Sequence, residues 1–306
     1  MAREDGDGKG GRPPARRPAR PAARPPRAGA TGQRPPAAGG PDTADGPERI
    51  AKRLARAGIA SRREAERMIE DGRVRLNGKL LDTPAVTVTL SDRIEVDGKE
   101  VAAAEPARLW RYHKPAGLVT TARDEQGRAT VFEKLPPELP RVVSVGRLDL
   151  NSEGLLLLTN DGELKRRLEL PSTGWLRKYR VRVHGTPDAG ALAPLEKGIV
   201  VDGERFQPMT VTLDRQQGAN AWLTIGLREG KNREIRRALS AVGLEVNRLI
   251  RISYGPFQLG DLVTGAVEEV RPKVLADQLG TRPPAKEGAA KPRRPKRPRP
   301  PSPGSR

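Results

Sequence analysis

The most informative part of the sequence is Val145-Gly-Arg-Leu-Asp-Leu-Asn-Ser-Glu-Gly-Leu-Leu-Leu-Leu-Thr-Asn-Asp-Gly-Glu163. An apolar run from Val142 leads into Gly146, and a run of leucines over 155–158 follows the polar loop. Short apolar runs bounded by turn residues are typical of buried strands, so the pattern predicts two strands joined by a charged loop. Two strands would hold Asp149 on a rigid base, which suits chemistry. A hairpin in which this aspartate only caps a turn explains the same spacing.

The composition of the 306 residues limits the classes of function. Lys and Arg number 57 against 38 Asp and Glu, a net charge of +19, which favours nucleic acid or an anionic membrane as partner. The absence of Cys excludes disulfides, thiol catalysis and Cys-ligated zinc, and with 2 His we expect no metal site. No apolar run reaches the roughly 18 residues of a membrane span. The N-terminus lacks the apolar segment of a secretory signal, so we expect a cytoplasmic protein.

Both ends of the chain differ from its middle in composition. Residues 1–47 hold 9 basic and 5 acidic side chains among Gly, Pro and Ala, and residues 281–306 hold 9 basic and 1 acidic. Because neither end has enough apolar surface to offset its chain entropy, we predict disordered tails at 1–47 and 277–306. Two interpretations of these tails stay open. They bind RNA loosely through their positive charge, or they only keep the protein soluble.

Residues 48–104 have the pattern of a small module. An amphipathic basic helix is predicted from Glu48 onward, and Ser61 with Glu64 forms the capping-box signature of a second helix. Short alternating strands joined by Asn-Gly and Asp-Gly turns follow. Arginines near the helix junction suit contact with a phosphate backbone, whereas an ordinary solvated basic face is the alternative. The predicted RNA-binding side chains are Arg49, Lys52, Arg53, Arg62, Arg63 and Arg67.

The sequence from Arg49-Ile-Ala-Lys-Arg-Leu-Ala-Arg through Ser61-Arg-Arg-Glu-Ala-Glu to Val74-Arg-Leu-Asn-Gly-Lys79 closely resembles the S-four-type RNA-binding domain. This domain recurs in ribosomal proteins and in RNA-modifying enzymes. The resemblance implies that structured RNA is the partner and that residues 48–104 carry no catalysis.

Residues 105–276 form a larger predicted module. Its first strand, over 109–121, breaks at a Pro-Ala-Gly turn, and Lys114 just before the turn is a candidate phosphate ligand at the edge of a site. A lysine that merely precedes a turn is the alternative. His113 is a candidate general base, but a lone His is more often structural. Residues 124–136 are a candidate substrate-facing insertion.

Two further stretches supply candidate site residues. Residues 178–183 alternate as a strand, and Tyr179 on the apolar face could stack on a base or simply fill the sheet. The run 230–232 lacks the upstream Gly and the Ser or Thr of a nucleotide P-loop, which is therefore rejected. A basic cluster surrounds the start of the helix that follows: Lys231, Arg233, Arg236 and Arg237. We expect a guanidinium of this cluster to pair with the Asp149 carboxylate and orient it.

Four segments in one order resemble the RsuA/RluB family of ribosomal RNA pseudouridine synthases: Tyr112-His-Lys-Pro-Ala-Gly117, Gly146-Arg-Leu-Asp149, Lys178-Tyr179 and Leu227-Arg-Glu-Gly-Lys-Asn-Arg-Glu-Ile-Arg236. Gly127-Arg-Ala-Thr-Val-Phe132 and Arg248-Leu-Ile-Arg-Ile-Ser-Tyr-Gly255 are most similar to the RluB type. The resemblance covers about residues 48–272. It implies an α+β protein, in which the small RNA-binding domain precedes a catalytic domain with a mixed, mainly antiparallel sheet.

The resemblance also implies a reaction. A monomer would isomerise one uridine to pseudouridine in 23S ribosomal RNA, free or in a large-subunit assembly intermediate, and without a metal or cofactor. Asp149 maps onto the family's essential aspartate, which attacks the anomeric carbon or removes a ribose proton. Tyr179 maps onto the tyrosine that stacks on the uracil, and Arg236 onto the basic residue paired with the aspartate.

Further residues take binding roles on the same resemblance. Leu227 maps onto the apolar residue that packs the pocket, and Arg147 onto the arginine that fills the gap left by the flipped nucleotide. The basic residues Lys114, Lys231 and Arg233 are candidate substrate ligands. Many relatives have Asn at position 113, so no catalytic role is carried over to His113.

Three alternatives to this function stay open. A glycosidase-like pair of Asp149 and Glu153 is one, although 3 Trp, 3 Tyr and 3 Phe supply no sugar-binding aromatic platform. The same isomerisation on 16S ribosomal RNA is the second. A ribosome-assembly factor that binds RNA without turnover is the third, and it predicts a degraded aspartate loop or a missing tyrosine.

Overall fold

A computed structural model of the protein describes residues 46–280. The terminal segments 1–45 and 281–306, which carry most of both predicted tails, lie outside the described residues. The helices within 46–280 are α1 Ile50–Arg56, α2 Arg62–Glu70, α3 Gly162–Glu169, α4 Ala189–Lys197, α5 Glu234–Ala241 and α6 Pro272–Leu279. None of these helices is long and apolar enough to cross a membrane.

The same residues form seventeen strands, most of them short. In chain order they are β1 Glu48–Arg49, β2 Val74–Leu76, β3 Lys79–Leu80, β4 Thr87–Val88, β5 Ile94–Val96, β6 Lys99–Glu100, β7 Leu109–Lys114, β8 Val143–Val145, β9 Ser152–Thr159, β10 Arg177–His184, β11 Val200–Val201, β12 Glu204–Arg205, β13 Thr210–Gln217, β14 Asn220–Leu227, β15 Glu245–Tyr254, β16 Phe257–Gln258 and β17 Val267–Glu269. Short 3-10 turns cover Phe132–Lys134 and Pro171–Thr173.

The N-terminal part packs α1 and α2 against a four-stranded antiparallel sheet in the order β3-β2-β5-β6. The capping box is confirmed, because Ser61 Oγ accepts from Glu64 N while the Glu64 side chain accepts from Ser61 N. Both predicted turns are also confirmed, since Asn77 and Asp97 each take φ of 50° before a glycine. Apolar side chains of the helices and strands form a closed core of their own.

The C-terminal part is built on one large sheet in the order β13-β14-β10-β15-β9-β7-β17. β8 adds to β9, and β16 adds to β15. The pairing of β9 with β15 is parallel, and the other pairs are antiparallel. The prediction of a mixed, mainly antiparallel sheet is therefore confirmed.

Residues 145–163 include an interior strand of this sheet. The two strands predicted here are β8 and β9, joined by the loop 146–151. Leu156 and Leu158 of β9 pack into the core under α4 and α5, while Leu155 and Leu157 pack into the core under α3 and α6. A strand covered on both faces needs apolar residues at successive positions, which explains the unbroken leucine run.

The C-terminal boundary differs from the sequence prediction. α6 runs to Leu279; its Leu275 and Ala276 are buried, and Leu275 packs into the core that also holds Leu164 and Leu168 of α3. The residues 277–280 therefore belong to the folded part, not to a disordered tail. The apolar residues Leu275 and Leu279 lie one helical turn apart, a pattern too short to outweigh the polar composition that follows.

Candidate active site

A cavity of about 290 Å³ opens beside the loop 146–151 and the start of α5. Of the eight side chains predicted for catalysis and substrate binding, six line it: Arg147, Asp149, Tyr179, Leu227, Lys231 and Arg233. An adjoining space shares Arg147, Asp149 and Lys231 and extends to Thr120 and Phe132. Because Phe132 belongs to the stretch 124–136, that stretch borders the same cleft, and its contact with substrate stays a prediction.

Asp149 is partly exposed and turns its carboxylate into this cavity. Within residues 46–280 the carboxylate accepts no hydrogen bond and forms no ion pair, so it does not cap the turn. The main chain around it is fixed instead. Leu148 donates from its N–H to Thr120 Oγ1 at 3.3 Å, the Thr120 hydroxyl donates back to Leu148 O at 2.8 Å, and Ser152 N donates to Asp149 O at 3.0 Å.

Lys114 lies beneath the loop and not at the edge of the cavity. The side chain is fully buried, and its Nζ donates to the carbonyl oxygens of Pro115 at 2.9 Å, Asp149 at 3.2 Å, Leu150 at 3.3 Å and Ser152 at 2.8 Å. Burial lowers the pKa of Lys114 to about 8, against the opposing charges of Asp149 and Glu153. The prediction that Lys114 binds a phosphate is therefore wrong, because its three protons already serve the loop backbone.

Arg236 also fixes the loop through its backbone. The guanidinium donates to Asn151 O at 3.0 Å and to Val246 O at 3.0 Å, which connects α5 to the loop and to β15. Burial lowers the pKa of Arg236, the charge of Arg233 lowers it further, and Asp149 opposes both. The expected ion pair with the Asp149 carboxylate is not formed among the described residues. The two groups interact only electrostatically, so Arg236 orients the carboxylate through the main chain.

Apolar side chains form part of the cavity wall. Tyr179 on β10 and Leu227 at the end of β14 are both nearly buried, and Ile235 of α5 and Leu249 of β15 complete the wall. The alternation predicted for β10 is confirmed, since Tyr179, Val181 and Val183 are buried while their neighbours are exposed. An aromatic ring with apolar neighbours in a cavity that also holds a carboxylate can bind a planar base by stacking.

Sequence reasoning missed a cation–aromatic stack at the end of this wall. The guanidinium of Arg177 lies 4.7 Å from the centre of the Tyr254 ring, and that of Arg251 lies 5.2 Å from it. Arg251 is buried and donates to Leu155 O at 2.7 Å. The signal was the charged residue between Ile250 and Ile252, because a charge in the apolar part of a strand is costly unless it is paired.

Glu234 is a second side chain that sequence reasoning missed. It is buried at the start of α5, lines the cavity and accepts a hydrogen bond from Lys231 N at 3.0 Å. Burial, together with the neighbouring Glu229, raises the pKa of Glu234 to about 8. Glu229 in turn accepts from Gln207 N at 2.5 Å and lies 3.2 Å from Lys231 Nζ.

The glycosidase alternative fails on the environment of Glu153. Its carboxylate receives both hydrogen bonds of a bidentate pair from Arg248, at 2.9 and 2.8 Å, and this pairing lowers its pKa. A glycosidase pair needs one carboxylic acid with a raised pKa to protonate the leaving group.

In the described part of the chain, no group of three His, Asp or Glu side chains is arranged to hold a metal ion.

The predicted RNA-binding residues of the first module separate into two groups. Arg49 and the α2 residues Arg62, Arg63 and Arg67 are exposed. Lys52 and Arg53 are mostly buried: Lys52 pairs with Glu48 at 3.7 Å and contacts Glu163 of α3, and Arg53 pairs with Glu48 at 3.5 Å. Both side chains bind carboxylates of the protein, and their contact with RNA stays a prediction.

Comparison with known proteins identifies the family. Residues 108–241 match the family described as RNA pseudouridylate synthase, and residues 48–94 match the S4 domain. An RNA pseudouridine synthase of Rickettsia felis is 48% identical over 228 residues, which cover 74% of this chain and 99% of the relative. The ribosomal large subunit pseudouridine synthase B of Salmonella typhi is 43% identical over 218 residues, 69% of this chain and 75% of the relative.

A crystal structure of a pseudouridylate synthase shares the fold, with a TM-score of 0.54 at 23% identity. The match covers 74% of this chain and 97% of that chain. The chain belongs to the RNA pseudouridine synthase family and carries an S4 domain ahead of its synthase domain.

Proposed function

We propose that this protein isomerises one uridine of 23S ribosomal RNA to pseudouridine and that Asp149 is the catalytic carboxylate. The observation that carries the proposal is the Asp149 carboxylate, which is unpaired among the described residues in a cavity walled by Tyr179 and Leu227. The identity of 43% to a large-subunit synthase of Salmonella typhi supports the choice of RNA. The loop 146–151, which carries Asp149 and is called the Asp loop below, and the side chain of Tyr179 are both intact. This argues against a protein that binds RNA without turnover.

The reaction rearranges bonds without net gain or loss of atoms. The bond between uracil N1 and ribose C1′ breaks, the uracil turns within the cavity, and a bond from its C5 to C1′ forms. C5 then loses its proton and N1 gains one. Asp149 starts this sequence either by attacking C1′ or by removing a ribose proton to give a glycal.

The other cavity residues hold the substrate while its bonds change. The ring of Tyr179 and the side chain of Leu227 stack on the uracil and keep it in place during the turn. A uridine inside a folded RNA must leave its stack to reach Asp149, and the exposed Arg147 at the mouth of the cavity fills the gap that remains. Lys231 and Arg233, which line the cavity from the start of α5, bind the flanking phosphates.

Release of tritium from uracil C5 tests this proposal directly, because C5 loses its proton only when the new carbon–carbon bond forms. Transcripts of 23S and 16S ribosomal RNA are labelled at uridine C5 and incubated with the wild-type protein, Asp149→Asn or Glu153→Gln. We expect release from 23S RNA at one uridine equivalent with wild type and with Glu153→Gln, and none with Asp149→Asn.

Other outcomes separate the alternatives. Release from 16S RNA alone would replace the proposed target while keeping the chemistry. Release by Asp149→Asn at the wild-type rate would overturn the catalytic role of this residue. Ribosomal subunits from a strain that lacks the gene, labelled in the same way, are a further substrate. If the protein released tritium neither from the transcripts nor from these subunits, it would be an RNA-binding assembly factor.

A further inference from the structure

The large sheet has a second face, opposite the cavity, on which side chains of β10, of β13 and of the Arg248 end of β15 are exposed. On β10 the residues Lys178, Arg180 and Arg182 point to this face and are exposed, whereas Tyr179 and Val181 between them are buried on the cavity side. Successive residues of a strand point to opposite sides, so the strand separates two different surfaces.

Pairing between the strands aligns the basic residues of this open sheet face. Arg182 lies opposite Trp222 of β14 and opposite Arg248 of β15, and Arg215 of β13 lies opposite the same tryptophan. One row across four strands therefore reads Arg248, Arg182, Trp222, Arg215. At a strand spacing of about 4.8 Å, the row extends over roughly 14 Å.

The positive charge of this face is only partly offset by the protein. Arg248 is held by Glu153, and Arg180 lies 3.9 Å from Asp214, which also accepts a hydrogen bond from Thr224. Within residues 46–280, no acidic partner is present for Lys178, Arg182 or Arg215. Arg182 lies directly opposite Arg248, whose charge Glu153 offsets, so Arg182 and Arg215 carry the uncompensated positive charge of the row.

The chemistry of the face fits a nucleic-acid backbone. Arg is suited to bidentate contact with phosphate, and such contacts position an RNA without reading its sequence. The guanidinium of Arg180 lies 4.9 Å from the centre of the Trp222 ring, so an aromatic ring and a cation stand together at the middle of the row. The basic terminal segments 1–45 and 281–306 would be repelled from this face, which excludes them as its occupant.

We propose that the open sheet face, defined by Lys178, Arg180, Arg182, Arg215, Trp222 and Arg248, is a second RNA-binding surface for segments outside the target site. β13 is the edge strand of the sheet, so an RNA that leaves the cavity can pass over β13 and reach the opposite side. The proposal needs RNA binding by this chain but is independent of the target RNA and of the role of Asp149.

Equilibrium binding of RNA to the full chain tests the proposal. The variant Arg182→Gln with Arg215→Gln removes two exposed cations of the face, and Lys197→Gln with Lys273→Gln removes two exposed cations from α4 and α6. The probes are a labelled transcript of about 100 nucleotides of ribosomal RNA and an oligonucleotide of about 10 nucleotides, each titrated at several salt concentrations.

We expect the face variant to bind the long transcript about 10-fold more weakly at physiological salt, with a slope of log K against log salt smaller by about 2. Its affinity for the oligonucleotide and its kcat at saturating RNA should equal those of wild type, and the control variant should match wild type throughout. Equal affinity of the two variants for the long transcript would overturn the proposal. The proposal would also be overturned if the face variant lost binding to anionic phospholipid vesicles but kept its affinity for RNA. That result would identify a membrane surface as the partner.

Discussion

The ammonium nitrogen of Lys114 lies 3.2 Å from the main-chain oxygen of Asp149. The same nitrogen donates to three further carbonyl oxygens, so a buried cation holds the loop that presents the proposed catalytic carboxylate. The position of Asp149 therefore depends on a residue that does not border the cavity. The first prediction follows from this arrangement.

Replacement of Lys114 by Met leaves the loop carbonyls without their donor and should displace Asp149. We expect kcat to fall at least about 100-fold while KM for RNA stays near the wild-type value, because a misplaced reacting group is costly and binding is retained. Unsatisfied buried carbonyls should also lower the free energy of unfolding by about 2–4 kcal/mol. Lys197→Met, at an exposed position of α4, is the control and should change neither quantity. A raised KM with unchanged kcat would restore the phosphate-binding role and contradict this account.

Gly154 provides a second prediction, about the packing beside the Asp loop. A Cβ at this position would clash with Arg251 O and lie 2.8 Å from Arg251 N, where β15 runs parallel to β9, and φ is +98°. Gly154→Ala should therefore destabilise the protein by about 3 kcal/mol or more in urea unfolding. Gly146→Ala is the matched control, since φ there is +66° but nothing lies within 4 Å of its Cβ. We expect about 1 kcal/mol for the control, and equal losses for the two variants would refute the close-approach explanation.

Glu234 makes stability depend on pH. The folded protein holds the carboxyl proton up to a pKa of about 8, whereas an exposed glutamate releases it near 4.5. Between these values the unfolded chain has lost the proton and the folded chain has kept it. Raising the pH therefore favours unfolding, and the stabilisation present below pH 4.5 is lost as the pH approaches 8.

Glu234→Gln cannot ionise, so its stability relative to wild type should rise by up to about 1.4 kcal/mol per pH unit between pH 5 and 8. Denaturant unfolding at intervals across this range measures the difference. Glu196→Gln, at an exposed position of α4, should show no such slope. Parallel pH profiles for Glu234→Gln and wild type would mean that Glu234 is already ionised in the folded protein.

The sequence predicts well those features that depend on neighbouring residues. The leucine run 155–158 indicates a strand buried on both faces, and Ser61 with Glu64 indicates a helix start, because strand burial and capping are local patterns. Six of eight predicted cavity residues also converge, but that success comes from a family resemblance in which the spacing of motifs has a known meaning.

The contacts that the sequence does not predict are those of side chains whose direction depends on distant elements. Lys114 and Arg236 both reach the Asp loop, yet only the assembled sheet determines that they bind its carbonyl oxygens and not a phosphate or the carboxylate. Lys52 likewise meets Glu163, which is 111 residues away in sequence. Such contacts between distant residues leave no periodic pattern in the sequence. The raised pKa of Glu234 likewise depends on burial, which only the fold provides.

The most direct test of the central claim is pseudouridine mapping of 23S and 16S ribosomal RNA from cells with the gene intact, deleted, or carrying Asp149→Asn. We predict that one pseudouridine of 23S RNA disappears in both altered strains and that all sites in 16S RNA are retained. The Asp149→Asn protein should accumulate to the wild-type level, since its carboxylate makes no hydrogen bond or ion pair in the described part of the chain. An unchanged map in the Asp149→Asn strain would contradict the assignment of Asp149 as the catalytic residue.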